Sequence, residues 1–187
     1  DKSGEYLGRK TPTPQSLASY SQMLLQNLRQ HGLAGGMARS WRQNQYRLES
    51  HRLSPLFESV AQGPIPFEEI RKVFSSHEVI LNFSNVWADG RPGSRLIAHV
   101  RLRDFEAPMC RTCYLTEYTD ELAEFYELEK EIVTYRSPEE LVNKTRYYLA
   151  HAEEAERIRE AGYQRALRDH TWAQRFRQLF STAGLSN

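Results

Sequence analysis

The 187-residue chain has little of what marks several special classes of protein. Its only cysteines, Cys110 and Cys113, cannot build a disulfide framework, so a reducing, cytoplasmic setting is the default expectation. No apolar run approaches the roughly 20 residues that span a bilayer, and no signal-peptide pattern is visible. With 25 basic and 24 acidic residues, neither sign of charge is in excess. The charge balance therefore gives no reason to expect a nucleic-acid partner or a membrane surface.

A hydrophobic content of 40% in 187 residues is enough for one good core and too little to promise two. Residues 1–13 combine basic, glycine, threonine and proline residues without a period, which predicts a loose N-terminal arm. Residues 14–187 are predicted to form a single domain. Its first helix is expected to end at Gly32, with a turn at Gly35 and Gly36. Residues 37–63 follow neither the helical nor the strand period.

From residue 66 onward, helical and strand-like segments alternate. This rhythm predicts an α/β fold, a three-layer Rossmann-like domain with a parallel sheet and a helical C-terminal end. The Val-Ile-Leu run of the first strand predicts burial on both faces. The predicted helices are 67–76, 95–107, 120–128, 152–169 and 172–180, together with one that starts at Ser137-Pro138 and has Leu141, Thr145, Tyr148 and Leu149 on one face. The predicted strands are 78–84, 113–117 and 131–135.

Polar residues gather at two kinds of place in this pattern. Arg95, His99, Arg103 and Glu106 fall within a narrow arc of the predicted helix 95–107, beside an apolar stripe of Leu102, Phe105 and Met109 expected to face the core. Ser94 is predicted to cap that helix. Other polar residues follow the strands, where ligands bind in parallel sheets; they are Asn82, Ser84, Thr116, Glu117 and Tyr118.

The ordered series of motifs in residues 66–185 resembles a known family. Arg-Asp-Phe-Glu-Ala at 103–107, Thr-Glu at 116–117, Lys-Glu-Ile-Val-Thr-Tyr at 130–135 and Ser-Pro-Glu-Glu-Leu at 137–141 are similar to the C-terminal half of GT-B glycosyltransferases. The spore-maturation (CgeB-like) type of group 1 glycosyl transferase is the most similar. The ending His-Thr-Trp-Ala-Gln-Arg-Phe at 170–176 resembles that family's closing helices.

The resemblance implies a domain that binds a nucleotide-diphosphate sugar as substrate, with no cofactor, no bound metal and no nucleic acid. It implies a ribose-binding role for Glu106 and a place near the diphosphate for Arg101 and Arg103. A carboxylate can accept both donors of a diol, and guanidinium forks match a diphosphate. Ser94 and Arg95, at the predicted helix start, are weaker candidates for the same site.

Three departures from the family pattern stand beside this resemblance. His99 replaces a sugar-binding glutamate of many retaining members, Arg111 replaces a frequent glycine, and the N-terminal acceptor domain is absent. The intact enzyme is expected to transfer a sugar to an acceptor hydroxyl of a glycan, protein or small molecule held by that missing domain. The alternative is a non-catalytic Rossmann-like module with a degenerate donor site that docks a partner or regulates.

Each candidate also has a purely structural interpretation. Glu106 with its arginines is compatible with a surface charge network, and Thr116, Glu117 and Tyr118 with turn chemistry before a helix. His99 is more typical of a hydrogen-bonded spectator than of a general base. Cys110 and Cys113 fall between helix and strand without a second ligand pair, which favours buried thiols over a redox couple or zinc site. The aromatic stripe Trp172, Phe176 and Phe180 is predicted to be core.

Overall fold

The computed structural model describes residues 17–61 and 63–185; the predicted arm at residues 1–13 lies outside them. The chain divides into two compact units. The first contains the described residues up to Ile65 together with Trp87–Ile97, and the second contains Pro66–Val86 and the described residues from Ala98 onward.

The first unit is built on one long helix, α1 (Leu17–Glu58), which Gly32 interrupts with φ 71° and ψ −179°. The predicted helix end at Gly32 is thus confirmed as a break. The predicted turn at Gly35 and Gly36 is wrong, because both are helical. A Cβ on Gly36 would lie 2.6 Å from the Cα of Leu28, so glycine there permits the helix segments on either side of Gly32 to touch.

Two short strands complete this unit and overturn the predicted helix 95–107. Strand β2 (Val86–Trp87) pairs with β3 (Leu96–Ile97), and the Ala88 N–H donates to the Arg95 carbonyl at 2.8 Å. This pairing engages the Arg95 carbonyl and places Leu96 and Ile97 in a strand, so no helix begins at Arg95. The Arg39 guanidinium forms an ion pair with Asp89 and ties the hairpin to α1.

The second unit contains a parallel three-stranded sheet in the order β1-β4-β5. Its strands are β1 (Val79–Asn82), β4 (Cys113–Glu117) and β5 (Val133–Tyr135). The predicted burial of the first strand on both faces is wrong: β1 is an edge strand, and Leu81 is 41% exposed. The central position belongs to β4, whose residues 113–116 are fully buried.

Six α-helices are described in the chain, five of them in this second unit. Most match the predicted segments closely, and side-chain caps explain why: Ser137 accepts from the Glu140 N–H and Thr171 accepts from the Gln174 N–H. After α1 they are α2 (Phe67–Ser76), α3 (Arg103–Met109), α4 (Pro138–Ala150), α5 (Ala152–Asp169) and α6 (Trp172–Thr182).

The predicted helix 120–128 is shorter and tighter than expected, a 3₁₀ helix over Asp120–Glu124. A turn follows at Glu129, which has φ 66° and whose N–H donates to the Ile132 carbonyl at 2.7 Å. This turn leads directly into β5, so the 3₁₀ helix does not continue to residue 128 as predicted.

Side chains alternate along β4 to build one core on each face of the sheet. Tyr114 joins a cluster with α2, α3 and the 3₁₀ helix, whereas Cys113 and Leu115 join a cluster with α4 and α5. The helices thus cover both faces of the parallel sheet, and the predicted three-layer, Rossmann-like α/β fold is confirmed.

Both cysteines belong to this packing. Cys113 is fully buried, and Cys110 is partly buried against the opposite cluster. Burial raises the pKa of Cys113 to about 12 and also raises the pKa of Cys110. Both thiols therefore stay protonated at neutral pH, which confirms the interpretation of the pair as small buried residues.

Arg111 has φ 58°, a left-handed conformation that suits glycine. Its side chain pairs with Glu156 at 2.6 Å and Glu160 at 2.9 Å, so this departure from the family pattern is anchored to α5.

We expect Arg111→Gly to be more stable than Arg111→Ala by about 1 kcal/mol, since both lose the same exposed ion pairs and only alanine keeps the strain. Urea unfolding of the two variants measures the difference, and equal stability would contradict the backbone argument.

Candidate functional site

The carboxyl ends of the three parallel strands meet at one edge of the sheet. Asn82 pairs in register with Thr116 at the ends of β1 and β4, and Glu117 pairs with Tyr135 at the ends of β4 and β5. A cavity of ≈ 380 Å³ opens beside these strand ends. We call it the carboxyl-edge cavity. It is lined by Phe83, Asn85, Glu117, Tyr118, Tyr135, Arg136, Ser137, Pro138 and Leu141.

The buried carboxylate of Asp104 accepts several hydrogen bonds next to this edge of the sheet. Asp104 is 1% exposed and accepts hydrogen bonds from the Tyr114 hydroxyl at 2.8 Å and the Thr116 hydroxyl at 3.0 Å. The Arg101 N–H donates to its other oxygen at 2.7 Å, and the Asn82 amide approaches at 3.5 Å. Burial and the adjacent Asp104 raise the pKa of Tyr114 well above its usual range, which keeps the phenol a donor.

Asp104 was missed because the wrong face of its helix was predicted to be buried. Leu102, from the predicted apolar stripe, is 60% exposed, and Phe105 and Met109 are only partly buried. The buried face of α3 carries Asp104, Ala107 and Pro108 instead. Ala107 could have indicated which face of the helix is buried, since a small side chain lets a helix approach a sheet closely.

The structure brings four predicted residues together around this carboxylate. Asn82 donates to the Thr116 hydroxyl at 3.1 Å, and the Arg101 Nε–H donates to the Ser84 carbonyl at 3.1 Å. Thr116 and Ser84 are almost fully buried, at 0% and 2% exposure. These side chains are therefore placed to brace the strand ends, and none of them lines the carboxyl-edge cavity.

Two other predicted residues, Glu117 and Tyr118, do line that cavity. One Glu117 oxygen accepts from the Asn85 N–H at 2.5 Å, and the Tyr118 hydroxyl donates to Asp120 at 2.7 Å. The Arg136 guanidinium lies 3.3 Å from the centroid of the Tyr118 ring. Within residues 17–61 and 63–185, that guanidinium has no carboxylate partner within ion-pair distance.

Arg136 and Asn85 were not predicted as site residues. Each directly follows a predicted strand segment, and that position is the signal that would have found them. The Asn85 side-chain oxygen is buried without a hydrogen-bond donor in the described structure. An unpaired buried acceptor is costly, so this oxygen is well suited to a ligand hydroxyl or N–H.

Glu106 and Arg103 lie elsewhere on α3. They pair with each other at 3.3 Å, and the Arg103 guanidinium sits 5.0 Å from the Phe74 ring centroid. Glu106 lines a second cavity of ≈ 340 Å³. The other residues of this second cavity are Leu102, Phe105, Met109, His170, Thr171, Trp172 and Arg175.

Ser94 and Arg95 belong to the first unit, apart from the remaining candidates. The predicted N-cap role of Ser94 is wrong, because no helix starts there; its hydroxyl donates to the Arg91 carbonyl at 3.0 Å. The Ser94 hydroxyl is the largest cause that lowers the pKa of Asp89 below its usual value. The predicted arc of Arg95, His99, Arg103 and Glu106 on one helix is also wrong, since α3 begins at Arg103.

The second cavity is lined by His170, a histidine whose pKa is shifted by its surroundings. His170 lies among three aromatic rings; its Nε2 is 2.9 Å from the Phe125 carbonyl and its Nδ1 is 2.9 Å from the Arg175 guanidinium. This arrangement suits a neutral ring with its proton on Nε2. Burial above all, together with the Arg175 charge, lowers the pKa of His170 below its ordinary 6.5.

We expect this shift to make the protein less stable as the pH falls. Below about pH 6.5 the unfolded chain binds a proton at His170 that the folded chain resists, so the free energy of unfolding decreases with pH. Urea titrations between about pH 7 and 5 should show a flatter dependence in His170→Gln than in the wild type, with exposed His51→Gln as control. Parallel slopes in the wild type and His170→Gln would contradict the assignment.

Residues 18–181 match the sequence profile of the family described as glycosyl transferase-like. The chain belongs to the glycosyl transferase-like family. No curated protein and no solved structure matches it. Membership of the glycosyl transferase-like family supports glycosyl transfer in general, a reaction that needs a sugar donor and an acceptor, and it confirms the resemblance at that level.

The described residues contain no group of three or more histidine, cysteine, aspartate or glutamate side chains arranged to hold a metal ion. No helix among them is long and apolar enough to cross a membrane.

Proposed function

We propose that this glycosyl transferase-like chain binds a nucleotide-diphosphate sugar donor in the carboxyl-edge cavity. One observation carries the proposal: Arg136, without a carboxylate partner in the described structure, stacks on Tyr118 in a cavity at the ends of three parallel strands. In open parallel sheets this is where ligands bind. A guanidinium held over an aromatic ring keeps its N–H groups directed for a phosphate, which it can bind in a bidentate manner.

The remaining lining suits the other parts of a nucleotide. Phe83, Tyr118 and Tyr135 offer aromatic surface for a base. Glu117 has one oxygen engaged by Asn85, and its second oxygen can accept from a ribose hydroxyl. The unpaired Asn85 oxygen adds a further acceptor. We place the base and ribose against these groups and the diphosphate against Arg136.

Glu106, Arg101 and Arg103, the ribose and diphosphate ligands that the family resemblance implies, define an alternative placement of the same donor, because none of them lines the carboxyl-edge cavity. Glu106 is partly exposed on α3, where its carboxylate is accessible to a ribose diol; its side chain is 42% exposed. The Arg101 backbone N–H donates to Asp104, and its guanidinium donates to the Ser84 carbonyl. Ser94 and Arg95 remain weaker candidates, as they lie in the other unit.

The intact enzyme, in this proposal, is a GT-B glycosyltransferase of which this chain supplies the C-terminal, donor-binding half. It transfers the sugar to an acceptor hydroxyl held by another domain. The chain's own contribution is to position the donor and to stabilise the departing nucleotide diphosphate with arginines. The spore-maturation subtype and a cytoplasmic location belong to the same proposal.

Calorimetric titration of the chain with UDP, GDP and TDP tests donor binding. We expect one nucleotide to bind saturably and Arg136→Ala to weaken it by about 1.5–3 kcal/mol, the usual contribution of a charge-assisted hydrogen bond. Arg146→Ala is the matched control, because Arg146 is an exposed arginine on α4 outside the cavity. Equal affinity of Arg136→Ala and Arg146→Ala would exclude Arg136 from the site.

Glu117→Gln and Glu106→Ala, titrated in the same way, separate the two carboxylates. Loss of about 1–3 kcal/mol in Glu106→Ala would support the ribose role implied by the family. A loss in Glu117→Gln alone would place the ribose in the carboxyl-edge cavity. Absence of nucleotide binding by the correctly folded wild type would favour the non-catalytic alternative.

A further inference from the structure

Helix α6 carries a row of large apolar side chains that the body of the protein does not cover. Trp172 is 68% exposed, Phe176 48% and Phe180 47%, so their predicted place in the core is wrong. The rings stack along the helix, with centroids 5.9 Å apart for the first pair and 6.0 Å for the second. Leu179, 57% exposed, widens the row. We call these four side chains the α6 stripe.

Only the first turn of α6 is held by the rest of the second unit. The Arg175 guanidinium lies 5.0 Å from the Phe125 ring centroid and donates to His170. Gln174 and Arg175 are partly buried, whereas residues 176–185 are exposed. The rest of the second unit therefore anchors the first turn of α6 and leaves the α6 stripe exposed.

Charge flanks the stripe in a distinctive way. At about 3.6 residues per turn, Arg175 and Arg177 fall on opposite sides of the apolar row, and the uncharged Gln174, Gln178 and Ser181 fall behind it. Residues 171–187 contain two arginines and no acidic residue. A cavity of ≈ 600 Å³ adjoins the same helix; its lining includes Arg165, Arg168 and Arg175 together with Glu124 and Asp169, and Asp169 pairs with Arg165 and Arg168.

We infer that α6 lies on an anionic lipid surface, with the α6 stripe in the interfacial region and Arg177 at the headgroup phosphates. An aromatic apolar face with arginines on its flanks is typical of helices that lie in a membrane interface. Tryptophan at one end suits the headgroup level. Arg175 is engaged by His170 and the Phe125 ring, so Arg177 supplies the exposed positive charge. Because residues 171–187 contain no acidic residue that would repel headgroup phosphates, this charge favours an anionic surface over an uncharged one. This inference does not depend on the donor site.

Co-sedimentation of the chain with phosphatidylcholine vesicles, with and without phosphatidylglycerol, tests the inference. We expect binding to the phosphatidylglycerol vesicles, weakening as salt is raised, and at least about tenfold stronger than binding to phosphatidylcholine alone. Phe176→Asp should abolish binding, and Arg177→Glu should remove the preference for anionic lipid. Trp41→Ala, which removes another exposed aromatic ring on α1, should bind as the wild type does.

Tryptophan fluorescence provides a readout at the stripe itself. A blue shift on adding phosphatidylglycerol vesicles should appear in the wild type and disappear in Trp172→Phe. Equal sedimentation of the wild type and Phe176→Asp would overturn the inference, as would failure of the wild type to bind. If light scattering instead shows a dimer that Phe176→Asp dissociates, and no vesicle binding, the stripe is a self-association surface and the inference is wrong. Thermal unfolding checks that the exposed substitutions leave the fold intact.

Discussion

Replacing Asp104 with alanine is expected to lower the free energy of unfolding by about 3–4 kcal/mol, because several buried donors would lose their acceptor at once. The Tyr114 and Thr116 hydroxyls and the Arg101 N–H all donate to this carboxylate. Tyr114 and Thr116 are fully buried, so water cannot replace the lost oxygens without opening the core. Urea unfolding followed by circular dichroism measures the change.

Two further variants separate the charge of Asp104 from its hydrogen bonds. Asp104→Asn keeps one oxygen but presents an amide to donors, so we expect a loss of about 2 kcal/mol. Tyr114→Phe removes a single donor and should cost about 1 kcal/mol. Asp120→Asn, an exposed carboxylate at the same edge, is the control and should change stability by less than about 0.5 kcal/mol. A loss in Asp104→Ala no larger than in Tyr114→Phe would contradict the network.

The Asp104 network also connects stability with the proposed donor site. The same carboxylate holds the backbone of Arg101 and, through Thr116, the strand end that precedes Glu117. Loosening this edge should weaken nucleotide binding in Asp104→Asn even though Asp104 does not line the cavity. Such an effect would identify Asp104 as a positioning residue, provided that binding is measured where the variant remains folded.

Local signals in the sequence were enough to predict much of the second unit. The β4 segment has a short apolar run between turn residues, and α4 and α6 begin where the serine and threonine side chains of Ser137 and Thr171 cap the helix in the structure. The alternation of helix and strand was enough to predict the parallel sheet. These features depend on neighbours within a few residues, which a single sequence displays directly.

Long-range contacts explain the elements that were predicted wrongly. Helix 95–107 fails because Leu96–Ile97 pairs with a strand ten residues upstream, and no periodicity in the segment itself reveals that pairing. The predicted turn at Gly35 and Gly36 fails because both residues are helical, and Gly36 packs against Leu28 across the break at Gly32, a contact between helix segments. Burial of a charged residue, Asp104, depends on donors supplied by two strands. In each case the deciding interaction lies outside the window that a pattern can cover.

The candidate site also has residues that local sequence patterns predict and residues that depend on long-range contacts. Strand ends could be located from the sequence, so Glu117 and Tyr118 were predicted where the cavity is found. Arg136 could not be recognised as a site residue, because that role depends on the Tyr118 ring beneath its guanidinium and on the guanidinium having no carboxylate within ion-pair distance in the described structure. Both are properties of side chains that meet only in the folded chain.

Gly162→Ala is expected to destabilise the second unit by about 3–4 kcal/mol, although alanine is normally better than glycine inside a helix by about 1 kcal/mol. Gly162 is buried in α5, and a Cβ there would lie 2.2 Å from the carbonyl oxygen of Glu131. That oxygen belongs to the backbone of the turn that feeds β5, so it cannot rotate away as a side chain would. Relief requires α5 to move off the turn, which would separate it from Pro108, 3.7 Å away on α3.

Urea unfolding of Gly162→Ala, with Gln164→Ala as control, tests this close approach. Gln164 is exposed on the same helix two residues further on, and its replacement should change the free energy of unfolding by less than about 0.5 kcal/mol. Stability of Gly162→Ala equal to or above that of the wild type would mean that α5 does not rest on the Glu131 carbonyl. A loss confined to Gly162→Ala would show that the missing side chain, and not helix propensity, fixes α5 against the turn before β5.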